Sequence, residues 1–170
     1  MPIDWETVYR ETYKDVVRFL HRKVWDADRA HDLAQEAFVR GLGAEPPENP
    51  RAWLFRVAAN LANDEARAAV RKKQHLILIK GEAEARQELT PTPADTYERQ
   101  ERVEAVRLAL DRLSERDRDV LLLWDAGMNY TEIASETGLS AGAVGTTLAR
   151  ARRRLVDAHT ELEKRHVARG

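Results

Sequence analysis

With 170 residues and a charged fraction of 34%, the chain has room for one ordinary domain or two small helical ones. It has no cysteine, which excludes a disulfide framework and any thiolate metal site and fits a reducing compartment. A net charge of −1 and a pI near 6.5 argue against nucleic-acid binding by bulk electrostatics alone, for which a domain pI above about 9 is expected.

No apolar run reaches the length of a membrane span, and the start, MPIDWETVYRE, is acidic where a secretory signal is basic and then apolar. No membrane insertion and a cytoplasmic setting are therefore expected. Trp5, Val8, Thr12, Val16, Phe19 or Leu20, and Val24 recur at helical spacing and predict a first amphipathic helix from Asp4 to about Trp25. The polar DADR, 26–29, interrupts it and caps a second helix with Leu33, Ala34, Ala37, Phe38 and Leu42 as its buried stripe. The other face of that helix carries Asp32, Gln35, Glu36 and Arg40. Gly41 to Pro50, GLGAEPPENP, is a loop by composition.

Asn49 and Pro50 open a third helix, with Asn as N-cap and Pro at the first helical position, where its missing amide costs nothing. Trp53, Leu54, Val57, Ala58 and Leu61 lie on one side of it. Arg56, Asn60, Asn63, Asp64, Arg67 and Arg71 form a polar stripe on the other, ending in the basic run Arg71, Lys72, Lys73. Taken alone, such a stripe reads as a solvated face. HLILIK and the acidic, proline-containing segment after it read as a linker, 76–97, between domains at 1–75 and 98–170. The aliphatics of HLILIK are expected to pack on a flanking domain, as a continuation of the third helix or as an extended segment.

In the second domain Val103, Val106, Leu110 and Leu113 predict a helix, and SERD, 114–117, a capping box with Asp in the distal place. Val120, Leu121, Leu123 and Trp124 mark the next helix. YTEIASET, Gly138 and a second helix from Ala141 then read as a helix-turn-helix, with Ser140 as N-cap and Ile133, Leu139, Val144 and Leu148 sharing a core. Its second helix keeps apolar intervals through Leu162, and the tail KRHVARG is expected to fray. The bland reading of this motif is a helical hairpin in an all-α core. The functional one is duplex DNA with the second helix in the major groove.

The five histidines show no HExxH or paired metal spacing, and no glycine-rich phosphate loop or GxSxG elbow occurs. No catalytic residue, metal or cofactor is therefore expected, and Trp53, Phe55 and Trp124 are assigned to the core. Charge is segregated: 143–155 holds four arginines and no acid, whereas 81–110 holds seven acids against four arginines. Acidic flanks repel phosphates, so affinity must be supplemented by a partner or by oligomerisation.

Two stretches together decide between these readings. DLAQEAFVRGL, 32–42, followed by PRAWLFRVAANLANDEARAAVRKK, 50–73, resembles the second conserved region of the bacterial sigma-70 family. LDRLSERDRDVLLLWDAGMNYTEIASETGLSAGAVGTTLARARRRL, 110–155, resembles the fourth. With the variable linker they cover nearly the whole chain, which resembles a sigma factor of the extracytoplasmic-function class. The resemblance implies an all-α fold of two small helical domains joined by an acidic linker. It further implies a dissociable subunit, not an enzyme, that directs core RNA polymerase to promoters and assists their opening in the bacterial cytoplasm, at the nucleoid.

By the same resemblance Asp32, Gln35, Glu36 and Arg40 would dock on the clamp of the polymerase beta-prime subunit, with the beta flap a further contact. Arg56, Asn60, Asn63, Asp64, Arg67, Arg71, Lys72 and Lys73 would face the minus-ten element, and the loop at 43–50 would border a flipped base. Ser140, Thr146, Thr147, Arg150, Arg153 and Arg154 would hold the minus-thirty-five duplex. Gly145 offers no side chain there, which shifts readout toward DNA shape. An anti-sigma factor is the expected silencing partner. The rival readings are a stand-alone helix-turn-helix regulator and a helical adaptor that does not bind DNA.

Overall fold

The structure, a computed structural model, describes residues 2–81 and 97–170. Seven α-helices lie among the described residues: α1 (Trp5–Val24), α2 (Ala27–Gly43), α3 (Pro50–Lys80), α4 (Tyr97–Asp111), α5 (Glu115–Asp125), α6 (Tyr130–Thr137) and α7 (Ala141–Arg169). They divide into two compact units, Met1–Pro93 and Ala94–Gly170. The expected all-α, two-domain architecture is observed.

In the first unit α1, α2 and α3 pack pairwise into a three-helix core. Each helix starts where a short polar side chain satisfies its first amides: Asp4 accepts from the Thr7 amide, Asp26 from Arg29 and Asn49 from Ala52. The Thr7 hydroxyl and amide together hold the Asp4 carboxyl below the usual carboxylate range. Between α1 and α2 Trp25 takes a left-handed conformation (φ 57°), which reverses the chain with a single residue outside both helices besides the cap. Val16, Phe19, Leu20, Leu33, Ala34, Leu54, Phe55 and Ala58 are buried, and Phe19 and Phe55 meet edge to face at 5.4 Å. Burial of the Val, Leu and Phe side chains among them is worth about 1.5–3 kcal/mol each. Gly41 is buried because Trp5 lies on it: a Cβ there would stand 2.6 Å from the indole. The stripe of α2 thus runs through Gly41, not Leu42, which is 67% exposed.

The third helix is longer than its sequence pattern suggests. Its buried residues all fall between Ala52 and Ala62, yet it continues to Lys80. HLILIK is therefore helix, and Leu78 and Ile79 are exposed, not packed on a domain. The expected linker at 76–97 loses its first five residues to α3 and its last to α4. Its segment 82–96 lies outside the described residues.

The second unit is organised on α7, against which α4, α5 and α6 all pack. Val103 and Val106, expected in the stripe of α4, are exposed, and burial begins at Ala109, Leu110 and Leu113. On α5 Leu122 is buried and Trp124 is exposed, so the indole is not a core residue as expected. Asn129 and Glu132 form a reciprocal capping box at the start of α6, and Gly138 closes that helix at φ 74°. The basic tail does not fray: α7 runs to Arg169, with Arg112 reaching Glu161 at 3.2 Å across the bundle.

Candidate nucleic-acid interface

Two surfaces bring together most of the side chains that the sequence singles out. On α3, Arg56, Asn60, Asp64, Arg67, Arg71, Lys72 and Lys73 are exposed and Asn63 is half-buried. From Arg56 to Arg71 the stripe extends about 22 Å along the helix. Asp64 and Arg67 pair at 3.2 Å, so a carboxylate stands among the cations and only part of the positive charge is available to phosphates. The helix is fixed against α2 by Arg29, which pairs with Glu65 through both its Nε and, at 2.7 Å, its Nη2. That pairing raises the Arg29 pKa above its ordinary value, against the effect of burial. On α2 itself Asp32, Gln35 and Arg40 are exposed and Glu36 is half-buried, with Arg40 donating to Glu36 at 2.7 Å. The sequence gives no local sign of the Arg29–Glu65 tie, whose partners are 36 residues apart.

The second surface is the outer side of α7. A rotation of 100° per residue puts Gly142, Thr146, Ala149 and Arg153 along its outermost line, and all four are exposed. Thr147 is a correction: it is 5% exposed and lies among Val144, Leu148 and Ala151, so it cannot project toward DNA. A threonine can fill an apolar slot, and its position three residues after Val144 and four before Ala151 puts it on the inward seam. Ser140 is exposed, and its hydroxyl accepts from the Ala143 amide at 3.2 Å, as an N-cap should.

Arg150 and Arg154 leave the outer line toward α5. Asp117, 1% exposed, accepts a 2.6 Å hydrogen bond from Arg154 and lies 3.6 Å from Arg150. Of the expected capping box, the Ser114 hydroxyl does accept from the Asp117 amide at 3.2 Å. The Asp117 carboxylate, however, is directed to the two arginines of α7. These guanidinium groups are half-exposed, so each bridges between the buried acid and solvent. On the opposite flank Trp124 and Tyr130 stand with ring centroids 5.3 Å apart, and Arg152 lies 5.8 Å from the indole.

The described residues contain no group of three or more His, Asp or Glu that could hold a metal ion. No helix among them is long and apolar enough to cross a membrane.

Comparison with known proteins places both units in one family. Residues 8–72 match the model of sigma-70 region 2, and residues 103–155 match that of sigma-70 region 4. The RNA polymerase sigma factor YlaC of Bacillus subtilis is 32% identical over 156 residues, covering 86% of this chain and 87% of the relative. EcfG of Rhodopseudomonas palustris, an extracytoplasmic-function RNA polymerase sigma factor, is 31% identical over 135 residues, 76% of this chain and 71% of its own. The chain belongs to the extracytoplasmic-function sigma factors. The fold is shared with the sigma factor RpoE of Bartonella quintana, in a structure with the anti-sigma factor NepR, at a TM-score of 0.64 and 21% identity over 91% of this chain and 96% of that one.

This sigma factor is accordingly a transcription initiation factor. The region 2 match takes in α2 and the stripe of α3 as far as Lys72, while the region 4 match takes in Asp117, Tyr130, the cap Ser140 and the α7 residues as far as Arg154.

Proposed function

We propose that this sigma factor is the dissociable specificity subunit of core RNA polymerase and acts by binding energy, not by catalysis. The observation that carries the reading is the presence in one chain of two polar helix faces, on α3 and α7, each in the unit that matches its sigma region. In the proposal the exposed side of α2, with Asp32, Gln35, Glu36 and Arg40, docks on the clamp of the beta-prime subunit, and the second unit meets the beta flap. Docking supplies the affinity that a chain of net charge −1 lacks.

On α3, Asn60, Asn63 and Asp64 face the unstacked minus-ten strand, flanked by Arg56, Arg67, Arg71, Lys72 and Lys73 on phosphates. Capture of extruded bases offsets the cost of opening the duplex. On α7, Thr146 and Arg153 face the minus-thirty-five duplex in its major groove, while Ser140 marks a helix N-terminus suited to a phosphate. Arg150 and Arg154 contribute charge at the edge, held there by Asp117. The work is done in the cytoplasm at the nucleoid. Between rounds an anti-sigma partner covers the exposed aliphatic end of α3, a proposal supported by the exposure of Leu78 and Ile79.

The division of labour is tested with holoenzyme on one promoter. Asn60→Ala should reduce permanganate reactivity of the melted region more than it reduces duplex retention, and Arg153→Ala should do the reverse. Removing one phosphate contact should also lower the salt slope by about one. Equal effects of both variants on the two readouts would refute the assignment.

A further inference from the structure

The leading half of α7 offers few side chains to a duplex. Its outer line is Gly142, Thr146 and Ala149 before Arg153 is reached, and Gly145 beside it has no side chain at all. The space above Gly145 is nevertheless filled. A Cβ at that position would stand 3.3 Å from Cε2 of Tyr130, 3.6 Å from its hydroxyl oxygen and 3.7 Å from Cζ. The Tyr130 ring therefore lies against the α7 backbone, at a closeness that any larger residue at 145 would disturb.

Three further features hold the ring in that place. Tyr130 is the first residue of α6, and its backbone is set by the Asn129–Glu132 capping box. Trp124 backs the ring at 5.3 Å between centroids and an interplanar angle of 53°. Arg152, two turns beyond Gly145 on the same side of α7, closes the row over the indole at 5.8 Å. Despite these contacts Tyr130 remains 42% exposed. A ring held by two neighbours, Trp124 and the backbone at Gly145, loses little freedom on binding, which suits it to present a hydroxyl that both donates and accepts.

We infer that Tyr130 and Gly145 form one specificity-determining unit, in which the Tyr130 hydroxyl makes the contact to the upstream duplex that residue 145 cannot. The inference rests on the sigma-factor reading above and adds a reader to it. A purely packing role for Tyr130 needs the ring but not the oxygen, so Tyr130→Phe separates the two. Gly145→Lys is the complementary change: its Cβ meets the ring and its ammonium enters the same space.

The test is selection of promoter fragments, randomised through the minus-thirty-five element, by holoenzyme made with the full chain or each variant. Thermal unfolding of each variant serves as the folding control. Tyr130→Phe should weaken retention of the preferred fragment about three- to tenfold and relax preference at one or two adjacent base pairs, leaving the minus-ten preference unchanged. Gly145→Lys should change preference at those same base pairs. If Tyr130→Phe holoenzyme selects the same sequences as wild type, with or without a loss of retention, or if the two variants alter different base pairs, the inference is overturned. Failure of wild-type holoenzyme to select any fragment would instead overturn the sigma reading on which it stands.

Discussion

Asp117 shows how a side chain with an evident local role can serve a distant one. Its amide is capped by Ser114 as the SERD pattern predicts, yet its buried carboxylate holds Arg154 and Arg150, which follow 37 and 33 positions later in the chain. Nothing in a window of four residues could select that partner, because the choice depends on how α5 meets α7. The same limit hid the seat of Tyr130 on Gly145, whereas the burial of Thr147 follows from its spacing to Val144 and Ala151, and the caps Asp26, Asn49, Ser114 and Ser140 are local and were legible. Removing one partner of a fully buried pair costs about 3–5 kcal/mol, and the half-exposed arginines here can return to water, which lowers the penalty. Asp117→Ala should therefore destabilise the protein by about 2 kcal/mol, once loss of an acid in the first turn of α5 is included. Urea unfolding followed by circular dichroism measures this. A midpoint equal to that of the wild type would show that the pair does not hold α7.

At the level of elements, helix starts were easier to read than helix ends. Asn49-Pro50 marks the beginning of α3 chemically, but its stop is written only weakly. Periodicity reports burial on one side, and beyond Ala62 α3 has no buried residue to report. Extending an existing helix costs far less than nucleating one, so the exposed turns through HLILIK propagate without a packed stripe. Conversely, α7 kept its apolar intervals far past the helix-turn-helix because it is the element on which the second unit is built, so its course through Leu162 was anticipated and only the last turns to Arg169 were not. A contrast within α3 follows. Leu54→Ala, at a residue with no exposure, should cost about 2–5 kcal/mol, whereas Leu78→Asp, at one 85% exposed, should stay within about 0.5 kcal/mol of wild type. Denaturant midpoints decide it, and a large loss for Leu78→Asp would mean that the end of α3 is packed in solution.

For the molecule as a whole, the near-neutral charge is the feature that shapes the mechanism. Basic residues gather on α3 and α7, but Asp64 and Asp117 engage some of them, and the stretch 81–110 holds seven acids against four arginines. Such a chain neutralises few phosphates by itself, so promoter binding must draw on a partner that holds it to the DNA. The two-domain, all-α architecture was legible because each domain has its own apolar periodicity and its own motif. Which arginines face outward was not, since that depends on acids supplied by other helices. The decisive measurement is retention of a promoter fragment at physiological salt by the chain alone, by core polymerase alone and by the two together. Sequence-selective retention is expected only for the combination. Retention of the same fragment by the chain alone, with equal affinity and unaffected by core polymerase, would contradict it and mark the protein as a stand-alone regulator.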